Sequence, residues 1–266
     1  MSDVFKIIPP LNSEVPILLS VPHCGTTFPE ELREQFQSPF FKSPDDTDWF
    51  VDQLYDFVSD LGISMITANY SRWVIDLNRD PESKPLYQDG RIITSLCPTT
   101  TFLGEPLYTD ERDEVSPQEV QRRLKKYFNP YHQKIQEVLD NLRGKFGRVL
   151  LWDCHSIRQS VPTIFASKFP DLILGDVDGT SASPGLIEAA LSTLDHSRYD
   201  VSHNHPFKGG YITRHFGKPS ENYHALQLEM TKVNYMDDSE TRYDEKRSAE
   251  IQGLLRNVFQ TLIDQL

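Results

Sequence analysis

Short unbroken apolar runs alternate with segments whose apolar residues return every three or four positions, and the alternation continues along the whole chain. Pro16–Val21 is such a run, as expected of a strand covered on both faces. Ile63–Ala68, Trp73–Leu77 and Arg148–Trp152 read the same way, with shorter candidates at Ile164–Ala166, Leu172–Leu174 and His224–Met230. Between them, Phe50, Val51, Leu54, Tyr55, Val58 and Leu61 recur at helical spacing up to Gly62. Ser116-Pro117-Gln118-Glu119 starts a second helix with a capping serine and a first-turn proline. Its stripe is Val120, Leu124, Tyr127, Tyr131, Ile135, Val138 and Leu142, and Pro130 is expected to kink or split it. Pro184–Leu194 and the stretch from Ile251 to Ile263 complete the helices. Strands separated by helices imply an α/β fold with a mixed, mostly parallel sheet flanked by helices. No linker is evident, so residues 1–266 are expected to form a single domain. The stretch 80–115, rich in Pro, Gly, Thr and Asp, reads as a long loop, and such loops are often functional.

Charge narrows the partners. Lys+Arg 27 against Asp+Glu 39 gives −12, which disfavours nucleic acid or an anionic membrane surface. An anionic substrate would then need local arginines or a metal to reverse the field. Cys24, Cys97 and Cys154 are odd in number and scattered, unlike a disulfide framework or a zinc knuckle. No basic leader opens MSDVFKIIPP, and no apolar run reaches the ~18 residues of a membrane span. A reducing, cytoplasmic setting is expected.

In open α/β sheets, ligands collect beyond the carboxyl ends of strands. His23 follows PILLSVP, Asn78-Arg79 follows RWVIDL, and His155 follows RVLLWDC. His23 alone reads equally as a loop histidine bonding a carbonyl. Asp153 and His155 share one side of an extended strand, so the aspartate can orient the ring at a metal site or simply pair with it. A catalytic zinc needs a third protein ligand. Asp45-Asp46-Thr47-Asp48 offers one, although helix capping accounts for part of that cluster. His203 and His205 form a reserve pair that also reads as loop. Glu229 shares a strand face with Ala225 and Gln227, in the otherwise apolar HALQLEM. Partial burial there would raise its pKa and suit a general base; an exposed edge position is the alternative. Arg72, Arg79 and Arg214 are candidates for binding carboxylates bidentately.

VPHCGTTFPEEL, DTDWFVDQLYDF, NYSRWVIDLNRDPE, PTTTFLGEPLY, LLWDCHS, PFKGGYITRHFG and ALQLEM together resemble the N-formylglutamate amidohydrolase family over roughly residues 16–236. The resemblance implies a fold related to the zinc carboxypeptidases, one Zn2+ (or Co2+, Mn2+ or iron) and hydrolysis of N-formyl-L-glutamate to L-glutamate and formate in histidine breakdown. It implies His23, His155 and Asp48, in preference to Asp46, as metal ligands, and Glu229 as general base. It further implies Asn78 and Arg79 on a substrate carboxylate, Arg214 on the second carboxylate, and Arg72 on a carboxylate or the oxyanion. Cys24, beside His23, departs from the small inert residue expected there. A zinc hydrolase of another N-acyl amino acid or a γ-glutamyl substrate is the alternative enzyme. A metal- or amino-acid-binding protein without turnover is the alternative outside catalysis.

Overall fold

The computed structural model describes residues 4–41, 45–82, 84, 95–110 and 112–266. Among the described residues, seven strands form one sheet in the order β1-β3-β2-β4-β7-β5-β6. They are β1 Phe5–Ile8, β2 Ile17–Val21, β3 Ser64–Ala68, β4 Val149–Ile157, β5 Leu172–Gly175, β6 Val201–His203 and β7 Tyr223–Thr231. The central strands β3, β2, β4 and β7 run parallel, as do β5 and β6; β1 against β3 and β5 against β7 are antiparallel. The helices are α1 Glu30–Arg33, α2 Val51–Leu54, α3 Pro117–Arg123, α4 Asn129–Phe146, α5 Pro184–Asp195, α6 Tyr211–Phe216 and α7 Glu245–Gln265. Among the described residues, no helix is long and apolar enough to cross a membrane.

Strand alternation divides the core between the two sheet faces. Ile17, Leu19, Val21, Leu150, Trp152, Leu226 and Leu228 pack with α2, α5 and α7. Leu18, Val149, Leu151 and Ala225 face the other way, onto Tyr131, Ile135 and Leu139 of α4. Asp153, His155, Gln227 and Glu229 lie on the α4 side by the same alternation, toward the carboxyl ends of β4 and β7. A polar set is thereby lined up along one face, next to the segment 71–79.

Several elements depart from the sequence-based expectation. Trp73–Leu77 is a run of turns rather than a strand, because Val74 N–H bonds back to the Ser71 carbonyl and the buried Asp76 carboxylate accepts the Asn78 N–H. Ile164–Ala166 is likewise a turn, closed by the N–H groups of Ile164 and Phe165 on the Val161 carbonyl. The expected helix from Phe50 is α2 followed by a 3₁₀ stretch at Asp56–Leu61, where Ser59 Oγ donates to the Asp56 carbonyl, a local bond that competes with α-helical pairing. Just before Pro130 the long helix is divided, as the proline leads one to expect. A π-helical turn at Leu124–Phe128 joins α3 to α4 and absorbs the missing donor, with Pro130 in the first turn of α4. Part of the loop 80–115 lies outside the described residues.

Arg123 of α3 is wholly buried and ties three segments together. It donates to Glu119 at 2.7 Å, to the Val74 carbonyl at 2.9 Å and to Tyr108 Oη at 2.9 Å. Replacing it with alanine strands a buried carbonyl and hydroxyl and is expected to cost about 3–5 kcal/mol. Urea unfolding measures this; a loss under about 1 kcal/mol would contradict the assigned role.

Candidate active site

His23 sits two residues beyond β2, and His155 lies in the neighbouring β4. Asp48 reaches them from the turn before α2, where its N–H donates to the His23 carbonyl at 2.9 Å. All three side chains are buried. Asp48 Oδ2 is 2.9 Å from His155 Nδ1 and 3.6 Å from His23 Nδ1, and the ring centroids are 5.0 Å apart. The far nitrogens are held by carboxylates: His23 Nε2 by Asp76 Oδ1 at 2.7 Å and His155 Nε2 by Asp153 Oδ2 at 3.0 Å. Both rings therefore turn Nδ1 toward Asp48 and Nε2 toward a supporting carboxylate.

His23 Nδ1 is buried and has no hydrogen-bond partner among the described residues. Leaving such an atom unpaired costs about 1–3 kcal/mol. A cation between the three residues would satisfy it, and two imidazoles with a carboxylate are a suitable donor set. Among the described residues, His23, Asp48 and His155 are the one group of such side chains close enough to hold an ion.

A family model, N-formylglutamate amidohydrolase, matches residues 15–236. The chain belongs to that family. A curated N-formylglutamate deformylase from Pseudomonas putida is 40% identical over 260 residues, which cover 97% of this chain and 96% of that protein. Another, from Pseudomonas aeruginosa, is 42% identical over 231 residues, covering 85% and 84% respectively. The crystal structure of N-formylglutamate amidohydrolase from Ralstonia eutropha JMP134 superposes with a TM-score of 0.80 at 27% identity, covering 97% of this chain and 95% of that one.

Within this family member the electrostatics follow from burial against ion pairing. Burial alone would raise the Asp48 pKa, but bonds and charge from His155 and His23 hold the carboxyl below its usual range. Asp76 is likewise held well down by Arg72, His23 and Arg79 against its own burial. Burial opposes charging of His155, yet Asp153 and Asp48 on either side raise its pKa well above that of a free imidazole. Glu229 pairs with His155 in the β4–β7 register and is partly exposed between buried Leu228 and Met230. Desolvation pushes it up to about 8, with Asp48 and Asp153 adding to the rise and His155 and Arg72 opposing it.

The remaining expected residues have distinct placements. Asp46 is engaged elsewhere: its Oδ2 accepts from Trp73 Nε1 at 3.2 Å and from Phe102 N–H at 2.8 Å. Arg72 is buried, with Nη2 on Asp76, Nη1 on the Asp46 carbonyl at 3.3 Å and its guanidinium 4.8 Å from the centre of the Phe102 ring. Arg79 is partly exposed, its Nε 3.8 Å from Asp76 Oδ2. Arg214 Nε donates to the Gly209 carbonyl at 2.9 Å. Asn78 was expected on a substrate carboxylate; in the structure its Oδ1 accepts from Ile212 N–H at 2.7 Å and its Nδ2 lies 3.2 Å from Asp153 Oδ2. Cys24 packs into the core, its thiol 3.4 Å from the Val21 carbonyl and its pKa raised by burial. His203 bonds Asp176 at 2.7 Å, and neither it nor His205 joins the metal-binding group.

Sequence reasoning missed Asp76. It sits between Ile75 and Leu77 in RWVIDL, so the reasoning that singled out Glu229 applied to it equally: a carboxylate in an apolar run needs a partner. A small cleft lined by Asp46, Phe102, Leu103, Ser156, Arg158 and Lys232, among others, opens beside Asp46, whose carboxylate accepts from Trp73.

Proposed function

We propose that this chain is a metal-dependent amidohydrolase that cleaves N-formyl-L-glutamate to L-glutamate and formate, as a step in histidine breakdown. The observation that carries the reading is the buried His23–Asp48–His155 group in a chain 40% identical, over nearly its full length, to a curated N-formylglutamate deformylase. His23 Nδ1, His155 Nδ1 and an Asp48 oxygen would hold the ion, for which zinc is the proposal; cobalt, manganese or iron suit the same donors. Bound there, the ion would polarise the formyl carbonyl and acidify a water molecule.

The chain's own residues do the rest. Glu229 takes a proton from the water whose oxygen bonds to the formyl carbon. It then delivers that proton to the amide nitrogen as the C–N bond breaks, so that formate and a free amine leave. Arg72 adds positive potential beside the developing oxyanion. Arg79 and Arg214 take the glutamate carboxylates and offset the −12 net charge locally. Three free, buried cysteines fit a reducing compartment, and we place the protein in the cytoplasm as one catalytic domain acting on a small anionic substrate.

Formate release from N-formyl-L-glutamate and N-formyl-L-glutamine, with amine release from N-acetyl-L-glutamate and a γ-glutamyl peptide, tests the assignment. Losing one substrate carboxylate leaves an arginine unpaired and is expected to lower kcat/KM by about 10²-fold or more. Chelation is expected to abolish turnover and zinc to restore it. Equal kcat/KM across the panel would defeat the substrate assignment, and full activity after exhaustive chelation would defeat the metal.

A further inference from the structure

Asn78 occupies the point where the supports of the two histidines meet. Its backbone N–H donates at 2.9 Å to Asp76 Oδ1, the same oxygen that holds His23 Nε2. Its Nδ2 lies 3.2 Å from Asp153 Oδ2, the oxygen that holds His155 Nε2, and 2.8 Å from that nitrogen itself. Oδ1 accepts the Ile212 N–H at 2.7 Å, which sets the amide with Nδ2 toward Asp153. One residue thus supplies a donor to each of two fully buried carboxylates, Asp76 and Asp153.

The far side of the amide is equally closed. A Cβ on Gly210 would stand 2.3 Å from Asn78 Nδ2 and 2.5 Å from both Cγ and Oδ1, so only glycine lets the chain pass. Gly210 is itself fixed by its N–H on Gln227 Oε1 at 2.7 Å, and the Tyr211 N–H reaches the Asn78 carbonyl at 3.3 Å. With Oδ1 on Ile212 and Nδ2 against Asp153 and His155, the side chain is committed to the protein interior.

We propose that Asn78 is a positioning residue of the metal centre: it locks the Asp76–His23 and Asp153–His155 pairs with Nδ1 facing Asp48 and ties them to the 209–214 segment, leaving carboxylate binding to the arginines. The inference rests on the reading of His23, Asp48 and His155 as a metal site. Second carboxylate–histidine contacts of this kind are worth about 10–100-fold in metal affinity. Gly210 and Ile212 therefore act on the metal through Asn78, although neither reaches it.

The test uses zinc and cobalt alone as probes, without reference to turnover, together with a KM-against-kcat comparison at saturating metal. Asn78→Ala and Gly210→Ala are both expected to weaken zinc about 10–100-fold in competition with a chromophoric chelator. Both should also alter the visible spectrum of the cobalt-loaded protein and lower kcat with KM within about threefold of the parent, since the substrate contacts remain. Arg79→Lys is expected to do the reverse, raising KM with zinc affinity unchanged. An Asn78→Ala protein with parental zinc affinity and cobalt spectrum but a tenfold higher KM would overturn the proposal. If Asn78→Ala does not fold, Gly210→Ala decides: unchanged zinc affinity there also overturns it. A parent chain that binds neither metal would instead sink the metal-site reading itself.

Discussion

Glu229→Gln is expected to keep its metal and lose about 10²–10⁴-fold in kcat, the range contributed by a positioned general base. The substitution is nearly isosteric, so β7 and its register with β4 should persist, and with them the position of His155. What disappears is the capacity to accept the water proton and return it to nitrogen. Because desolvation pushes the Glu229 carboxyl up to about 8, the parent protein should show a rising limb in its pH–rate profile. Loading a cation beside the carboxylate favours its ionised form, so that limb is expected below pH 8 in the metal-bound enzyme, with the base active above it and silent below. Metal content by atomic absorption, kcat from formate release and the pH profile of the parent check the three parts together. A variant with parental metal content and kcat within threefold of the parent would remove Glu229 from the chemistry.

The central strands were legible because both of their faces are covered. Runs such as PILLSV and RVLLWD have no other way to bury their side chains, and β2, β3, β4 and β7 appear where those runs lie. Edge strands carry no such signal: β1 is FKII and β6 is VSH, short and only partly buried, so neither stands out from a loop. Trp73–Leu77 misled for the opposite reason. It is as apolar as a strand, but its apolar side chains join the α4-side core from a run of turns organised around Asp76. The choice between Asp46 and Asp48 could not be made from DDTD, since both suit the turn before a helix. It turns on one backbone bond, Asp48 N–H to the His23 carbonyl, between segments with no visible relation in sequence. The surroundings of Asn78 were hidden for the same reason, as its side-chain partners Asp153 and Ile212 lie 75 and 134 positions away.

Loading the metal at pH 7 is expected to release about one to two protons per ion, and affinity should climb as pH rises from 6 to 8. The sign follows from the two groups that hold protons in the metal-free site. Asp153 and Asp48 raise the His155 pKa well above its free value, so at neutral pH that imidazole is charged and its Nδ1, the face turned to Asp48, carries a proton. An ion must displace it, and each displaced proton makes affinity fall about tenfold per unit as pH drops below the raised pKa. Glu229, pushed up to about 8, is also largely protonated at pH 7 and surrenders its proton to the incoming positive charge. Asp48 contributes none, because its bonds to the two histidines keep it ionised throughout this range. Titration calorimetry in buffers of different ionisation enthalpy counts the protons directly. In Glu229→Gln the count should fall by up to one while the dependence carried by His155 remains, which separates the two sources. Affinity that stays flat between pH 6 and 8, with no proton released, would mean that the charged imidazole between two carboxylates is not the state the ion meets.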